Sequence, residues 1–351
     1  MADLRTSLAG LSLEHPLVLA SGPLSWDGEA IARAHRAGAA AIVTKTISRT
    51  AARSPRPHIA SVPGGVLNAE RWSDLSPRQW VERELPLAKD SGATVIASVG
   101  PTPDDVDSLA RALERAGADA LEVVSYVEAA LPDMVRLAVE AVDVPVFAKL
   151  NANGRDLVGT ARACVVRGAA AITAIDSLGP ALRVDLERRR PLLGAASAWW
   201  SGPAILPQAL HAVSVVHDAV GVPIVGTGGV GDADAAIEML FAGASAVGLC
   251  SAPLVSGLGL FSRMRDAMGE RLDRLGIAAV RGAVGAMAGE VETGFILRFD
   301  ADTCAGCGAC VRICPYRARR SPDAVLTACR GCGLCVSVCP RGALGWERSE
   351  T

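Results

Sequence analysis

PIVGTGGVGDADAAIEMLFAGASAVGLCS, residues 223–251, contains one full period of the pattern that fills most of this 351-residue chain. A short apolar run, Pro223–Gly226, meets a glycine-rich turn. A helical pattern follows, ends on Ala242-Gly243-Ala244, and gives way to a second apolar run, Ala246–Leu249. Upstream the same signals recur. Apolar runs at Pro16–Ala20, Ala41–Thr46, Thr94–Val99, Ala120–Val124, Pro145–Leu150 and Ala170–Ile175 alternate with segments of helical period. Ala37-Gly38-Ala39, Ala116-Gly117-Ala118 and Arg167-Gly168-Ala169 mark helix ends ahead of a strand. Eight such units over about 250 residues predict a (β/α)8 TIM barrel. An open doubly wound sheet is the competitor, and no G-x-G-x-x-G follows the first run to support it.

Composition agrees with closely packed helices on a sheet: half the residues are hydrophobic and only 4% are aromatic. A net charge of −2 gives no reason to expect nucleic acid or an anionic membrane as a partner. The N-terminal segment carries Asp3 and lacks an unbroken apolar core, so it does not read as a secretory signal. No apolar run is long enough to span a bilayer. The expectation is a soluble, cytoplasmic protein.

Eight of the ten cysteines fall in the last 48 residues, as Cys304-x2-Cys307-x2-Cys310-x3-Cys314-Pro315 and Cys329-x2-Cys332-x2-Cys335-x3-Cys339-Pro340. This is the bacterial ferredoxin run written twice, and it predicts two [4Fe–4S] clusters. In that run the fourth cysteine ligates the other cluster. One cluster is thus expected on Cys304, Cys307, Cys310 and Cys339, the second on Cys329, Cys332, Cys335 and Cys314. Zinc ribbons pair two C-x2-C knuckles without further cysteines at this spacing. Disulfides fit an intracellular chain poorly. The expected domains are a barrel over 1–295 and a two-cluster ferredoxin over 296–351. Arg317, Arg319, Arg320 and Arg330 flank the second cluster, either to offset its negative charge or to dock an acidic electron partner. Cys164 reads as a core residue of a helix.

The chain has only three lysines. Lys89 sits in a helical pattern and reads as solvated. Lys45 and Lys149 end strands, where barrel chemistry sits. The other strand ends present Ser21-Gly22, Thr46, Ser98, Ser125-Tyr126, Asn151 and Asn153, Asp176-Ser177, Gly228-Gly229 and Cys250-Ser251. The glycine turn after the seventh strand, with Gly248-Leu249-Cys250-Ser251 on the eighth, is where such barrels hold a phosphate. Two lysines in one mouth repel unless an anion separates them. A reduced flavin, negative near N1, is such an anion.

At these residues the chain resembles the dihydroorotate dehydrogenase superfamily. The carriers are Ala20-Ser21-Gly22, Thr44-Lys45-Thr46, Leu67-Asn68-Ala69-Glu70, Ile96-Ala97-Ser98, Phe147-Ala148-Lys149-Leu150-Asn151-Ala152-Asn153, Ser201-Gly202-Pro203-Ala204-Ile205, Thr227-Gly228-Gly229-Val230 and Cys250-Ser251-Ala252. The ferredoxin tail brings it nearer to the FMN/iron–sulfur part of dihydropyrimidine dehydrogenase. The resemblance implies FMN contacts at Ser21, Gly22, Lys45, Thr46, Ser98, Lys149, Ser177, Gly202, Gly228, Gly229, Cys250 and Ser251. It implies substrate contacts at Asn68 and Glu70, on the loop after the second strand, and Asn151 and Trp199 are candidates beside them.

In pyrimidine-handling relatives the fourth strand ends with an asparagine that holds the ring and a cysteine or serine that handles a proton. Here that stretch is Leu121-Glu122-Val123-Val124-Ser125-Tyr126-Val127-Glu128, with Val124 in the asparagine's place and no cysteine. Tyr126, Ser125 and Asp176 become the acid/base candidates, with Glu128 behind them. Trp199 and Trp200 either wall the substrate or fill a loop core. The expected activity is oxidation or reduction of a C=C bond in a small polar molecule, wired through the clusters. Alternatives are the pyrimidine reaction itself, on uracil, thymine or dihydroorotate, and an electron-transfer subunit without a substrate. A flavin isomerase would leave eight cluster ligands without a use. No nicotinamide-binding domain is visible, so a separate flavoprotein reductase subunit or a soluble ferredoxin is the expected electron partner, in a homodimer or hetero-oligomer.

Overall fold

The computed structural model describes residues 1–154, 156–287, 295–325 and 328–348. They form two compact units, Met1–Met287 and Ala288–Thr351.

In the first unit eight parallel strands close into a barrel. They are β1 (Leu17–Leu19), β2 (Ala41–Val43), β3 (Val95–Val99), β4 (Ala120–Val124), β5 (Val146–Leu150), β6 (Ala171–Ala174), β7 (Ile224–Thr227) and β8 (Ala246–Leu249). They pair in sequence order, and β8 returns to β1. Seven lie inside the runs read from the sequence, and β7 extends one residue past its run, to Thr227. The helices between them are α1 (Gly28–Arg36), α2 (Leu85–Asp90), α3 (Pro103–Arg115), α4 (Leu131–Ala141), α5 (Leu157–Val166), α6 (Leu206–His217), α7 (Ala233–Phe241) and α8 (Leu260–Arg274). Side-chain caps fix their starts: Asp27 accepts from Ala30 N at 2.7 Å and Asp232 from Ala235 N at 2.9 Å. Such a cap contributes about 1 kcal/mol.

Strand alternation divides the core. One set of side chains, including Leu19, Ile42, Ala97, Leu121 and Ala148, packs under the helices. The other set points into the barrel. At its lower end Val18, Ala41, Ala120, Phe147 and Ala171 meet Leu8 and Leu13 of a short antiparallel hairpin, Thr6–Leu8 with Leu11–Leu13. That hairpin plugs the barrel floor. Phe147 is fully buried there, worth roughly 1.5–3 kcal/mol against an exposed ring. Above it the inward residues turn polar: Ser98, Glu122, Lys149 and Thr173 are all buried.

Over the opposite end lies a four-stranded antiparallel sheet in the order Leu178–Ala181, Ala198–Ser201, Gly65–Asn68, Ile59–Val62. Its pairing sets Asn68 opposite Trp199 and Leu67 opposite Trp200. The loop expected around Asn68 and the Trp pair is therefore sheet. Lys89 is not simply solvated either: its ammonium donates to Asp119 at 2.5 Å and to Ala93 O at 2.9 Å, tying α2 to the foot of β4. Cys164 is fully buried in α5.

In the second unit an antiparallel ribbon, Phe295–Phe299 with Leu344–Arg348, brings the two ends of the segment together. Between them two short helices, Ala309–Arg312 and Leu334–Ser337, each start after a left-handed glycine, Gly308 (φ +69°) and Gly333 (φ +78°). Only glycine takes that conformation without strain, so each cysteine run can wrap tightly before its helix. Among the described residues no helix is long and apolar enough to cross a membrane.

Candidate active site

The strand ends and the overlying sheet enclose an open cavity of about 940 Å³. From β1 come Ser21 and Gly22, from β2 Lys45 and Thr46, and from β5 Lys149. Asp176 and Ser177 follow β6, Gly228 and Gly229 follow β7, and Cys250 and Ser251 follow β8. The sheet contributes Asn68 and Trp199, with Glu70 just beyond its strand, and Tyr126 enters from the β4 end.

Four expected residues lie elsewhere. Ser98 is fully buried below the cavity, its Oγ 3.0 Å from Thr46 Oγ1, and does not line it. Gly202 lies at the edge of the sheet, just beyond Ser201. Ser125 and Asn151 line a neighbouring cavity instead, which shares Tyr126 and Trp199 with the first. Ser125 donates to Val127 O at 3.3 Å, and Asn151 Oδ1 accepts from Asn153 N at 2.9 Å, so both are engaged in local turns. Glu128 is also there, accepting from Thr160 Oγ1 at 3.0 Å and Asp156 N at 3.1 Å.

The two lysines carry their own counter-ions, which corrects the expectation that only a bound anion separates them. Lys45 Nζ lies 2.6 Å from Glu70 Oε2. Lys149 Nζ lies 3.5 Å from Asp176 Oδ1 and 3.9 Å from Glu122 Oε1. Burial opposes the Lys149 charge, but the Asp176 and Glu122 carboxylates outweigh it and hold the ammonium above the usual lysine range. Glu122 shows the reverse balance. Burial pushes its carboxyl up, and Lys149 and the Thr173 hydroxyl, 2.8 Å from Oε2, only partly offset that. Its Oε1 has no hydrogen-bond partner among the described residues.

Tyr126 donates to Asp176 Oδ2 at 3.3 Å. Burial, and then the Asp176 charge, push its phenol upward, so it keeps its proton. Its ring stacks on Trp199 (4.5 Å between centroids, 27° between planes) and leans on Trp72 (5.4 Å, 33°). Burial also pushes the Cys250 thiol up, against the pull of Lys149 and Lys45.

The reading of single residues missed Glu122 and Trp72 as parts of this site. Both left a signal: Glu122 interrupts an otherwise apolar strand, and Trp72 is one of few aromatics, two residues past Glu70.

Two observations bear on a nucleotide cofactor. Thr227 Oγ1, at the end of β7, is buried without a hydrogen-bond partner among the described residues. At Gly229 (φ +82°) a Cβ would fall 2.6 Å from Leu206 N, so that turn stays bare backbone. An orphaned hydroxyl and a glycine cradle in one cavity with Lys45 and Lys149 fit a phosphate-bearing flavin.

The second unit holds two smaller cavities. One is lined by Cys304, Cys307, Cys310 and Cys339, the other by Cys314, Cys329, Cys332 and Cys335. Each thus mixes three thiols of one run with the last thiol of the other. Backbone N–H groups, foremost that of Ala318 for Cys314 and that of Arg341 for Cys339, lower both thiols below the usual range. Four thiols per cavity suit a cubane cluster.

Comparison with known proteins agrees with this architecture. Residues 3–272 match the family model described as dihydroorotate dehydrogenase. Residues 296–318 and 325–345 each match a 4Fe-4S binding domain. The chain is 36% identical over 277 residues to a dihydroorotate dehydrogenase B (NAD(+)) catalytic subunit of Methanothermobacter thermautotrophicus, covering 74% of this chain and 90% of the relative. It is 31% identical over 297 residues to the protein of that name from Pyrococcus furiosus, covering 81% and 98%. These relatives are dihydroorotate dehydrogenase B subunits, not the dihydropyrimidine dehydrogenase segment that the tail suggests.

Proposed function

We infer the reaction from one premise: the chain belongs to the dihydroorotate dehydrogenase family and is an oxidoreductase of the kind that acts on CH–CH groups. Its barrel mouth holds FMN, and its substrate is a small ring in which a C–C bond becomes C=C or the reverse. Dihydroorotate is the substrate to test first. The observation that carries this reading is Lys149, kept charged by two carboxylates beside the glycine cradle and the unpartnered Thr227 hydroxyl.

Forming a C=C bond removes a hydride from one carbon and a proton from its neighbour. FMN, when bound, would take up that hydride. The chain's own residues deal with the rest. Lys149 supplies positive charge where negative charge develops. Thr227, Gly228 and Gly229 hold the phosphate, and Ser21, Thr46 and Lys45 face the same cavity. Asp176 is the proton acceptor, oriented by the Tyr126 hydroxyl, which itself is held too firmly protonated to exchange protons readily. Trp199 and Tyr126 offer stacking faces to a flat ring.

Electrons leave through two [4Fe–4S] clusters, on Cys304, Cys307, Cys310 and Cys339 and on Cys314, Cys329, Cys332 and Cys335. They pass to a separate reductase subunit or ferredoxin, in line with relatives whose name is that of a catalytic subunit.

One observation favours a second reading, in which the ring is not a pyrimidine. Val124, not an amide, lines the cavity from the β4 end. Anaerobic addition of dihydroorotate to the FMN- and cluster-loaded protein separates the two. The first reading expects bleaching of the flavin band and one orotate formed for every two electrons taken up by flavin and clusters together. No bleaching with dihydroorotate or dihydrouracil, while dithionite still reduces the flavin, would leave the second.

A further inference from the structure

The two cluster cavities are built from the same eight-cysteine repeat but differ in one buried charge. Arg319 lines the cavity of Cys314, Cys329, Cys332 and Cys335 and is 5% exposed. One end of its guanidinium, Nη1, donates to Pro322 O. The other, Nη2, is buried with no hydrogen-bond partner among the described residues. A backbone bridge from Arg319 to Val325 and the bond from Arg320 N to Ala324 O (3.3 Å) hold the loop that places it. A buried cation with a free donor is costly unless something accepts from it.

Among the described residues nothing equivalent faces the other cavity. Arg341 lines it but is exposed, and Arg312, which donates to Cys307 O at 2.9 Å, is exposed as well. Arg330 shares the Arg319 cavity but is also exposed, and so is Asp323, whose carboxylate accepts from Ser321 Oγ at 2.5 Å. Water screens exposed charges, whereas a buried one acts through low-dielectric surroundings.

We propose that Arg319 is a tuning residue: its Nη2 donates to the sulfur of the cluster on Cys314, Cys329, Cys332 and Cys335 and makes that cluster the first of the pair to accept an electron. Each cubane takes up one electron with no bond made or broken, and its net charge becomes more negative by one. A guanidinium in the cavity stabilises the reduced form more than the oxidised one, which raises the potential. The other cluster, with only screened arginines near it, fills second. Within this unit, an electron therefore comes to rest on the cluster beside Arg319.

This inference rests on the reading that the unit carries two [4Fe–4S] clusters, and the test tells the two failures apart. The full-length holoprotein is assayed for iron and sulfide, then titrated with dithionite while both clusters are followed by electron paramagnetic resonance. In Arg319→Gln the higher of the two potentials falls by an amount equal to about tenfold in the reduced-to-oxidised ratio, 59 mV for a one-electron couple. The lower potential stays, and Arg319→Lys, which keeps the charge, moves less than half as far. Arg330→Gln, at the exposed rim, leaves both within about twofold. Full iron content with both potentials unchanged in Arg319→Gln would overturn the proposal, as would a fall of the lower potential alone. Loss of iron from both Arg319 variants would overturn it too, since the side chain would then serve only the loop. Absence of iron from the unaltered protein would instead sink the cluster reading itself.

Discussion

Lys149→Met protein is expected to lose most of its FMN on purification and, when reloaded, to reduce it with substrate about 10²–10³ times more slowly, the usual loss when one charge-stabilising donor is removed from an active site. The substitution keeps much of the aliphatic volume and deletes the ammonium between Asp176 and Glu122. Removing one partner of a buried charge set commonly costs 3–5 kcal/mol, roughly, because the remaining charge is left uncompensated. Glu122 has an escape, because burial already pushes its carboxyl up and loss of Lys149 pushes it further. It takes a proton instead. The sign of the pH effect follows. A carboxyl whose folded value is raised contributes most to stability below the ordinary carboxylate range and loses that contribution as pH rises through the raised value. Lys149→Met should therefore be least stable on the alkaline side, as read by thermal melts across pH. Adding Glu122→Gln should restore the stability without restoring FMN or flavin reduction. If the double variant recovers both, Lys149 is a structural residue and its place beside the flavin is wrong.

Cys314→Ser is expected to remove the cluster of the second cysteine run while sparing that of the first. Cys314 belongs to the first run in sequence, but in space it shares a cavity with Cys329, Cys332 and Cys335. Iron and sulfide should fall to about half in the anaerobically purified variant. The surviving signal should be lost only when Cys304, Cys307, Cys310 or Cys339 is also changed. If Cys314→Ser instead destroys the cluster held by Cys304, Cys307 and Cys310, ligation is not crossed and Cys314 belongs with its own run.

The barrel was legible because its signals are local. Each strand is a short apolar run, several helix ends carry a glycine, and the eight units repeat. The two cysteine runs were legible for the same reason, although the exchange of Cys314 and Cys339 between the cavities depends on how the runs fold against each other. What escaped depends on contacts distant in sequence. The floor hairpin, Thr6–Leu8 with Leu11–Leu13, has strands of three residues and owes its place to Leu8 and Leu13 packing inside the barrel. The sheet over the mouth pairs Trp199 with Asn68, 131 positions apart, across stretches with no repeating pattern. Lysines read one at a time suggested mutual repulsion, yet Lys45 meets Glu70 and Lys149 meets Glu122 and Asp176 once the chain closes. The leaning toward dihydropyrimidine dehydrogenase came from the tail, a module that says less about substrate than the barrel does. The relatives found through the barrel are dihydroorotate dehydrogenase B subunits.

All of this stands on a flavin in the barrel mouth and two iron–sulfur cubanes in the C-terminal unit. The direct measurement is chemical: purify the full chain without oxygen, then assay extractable FMN, iron, acid-labile sulfide and zinc on one sample. About one FMN with about eight iron and eight sulfide per chain, and no zinc, is the expected result. A colourless protein, or one carrying zinc on its cysteines, would contradict it.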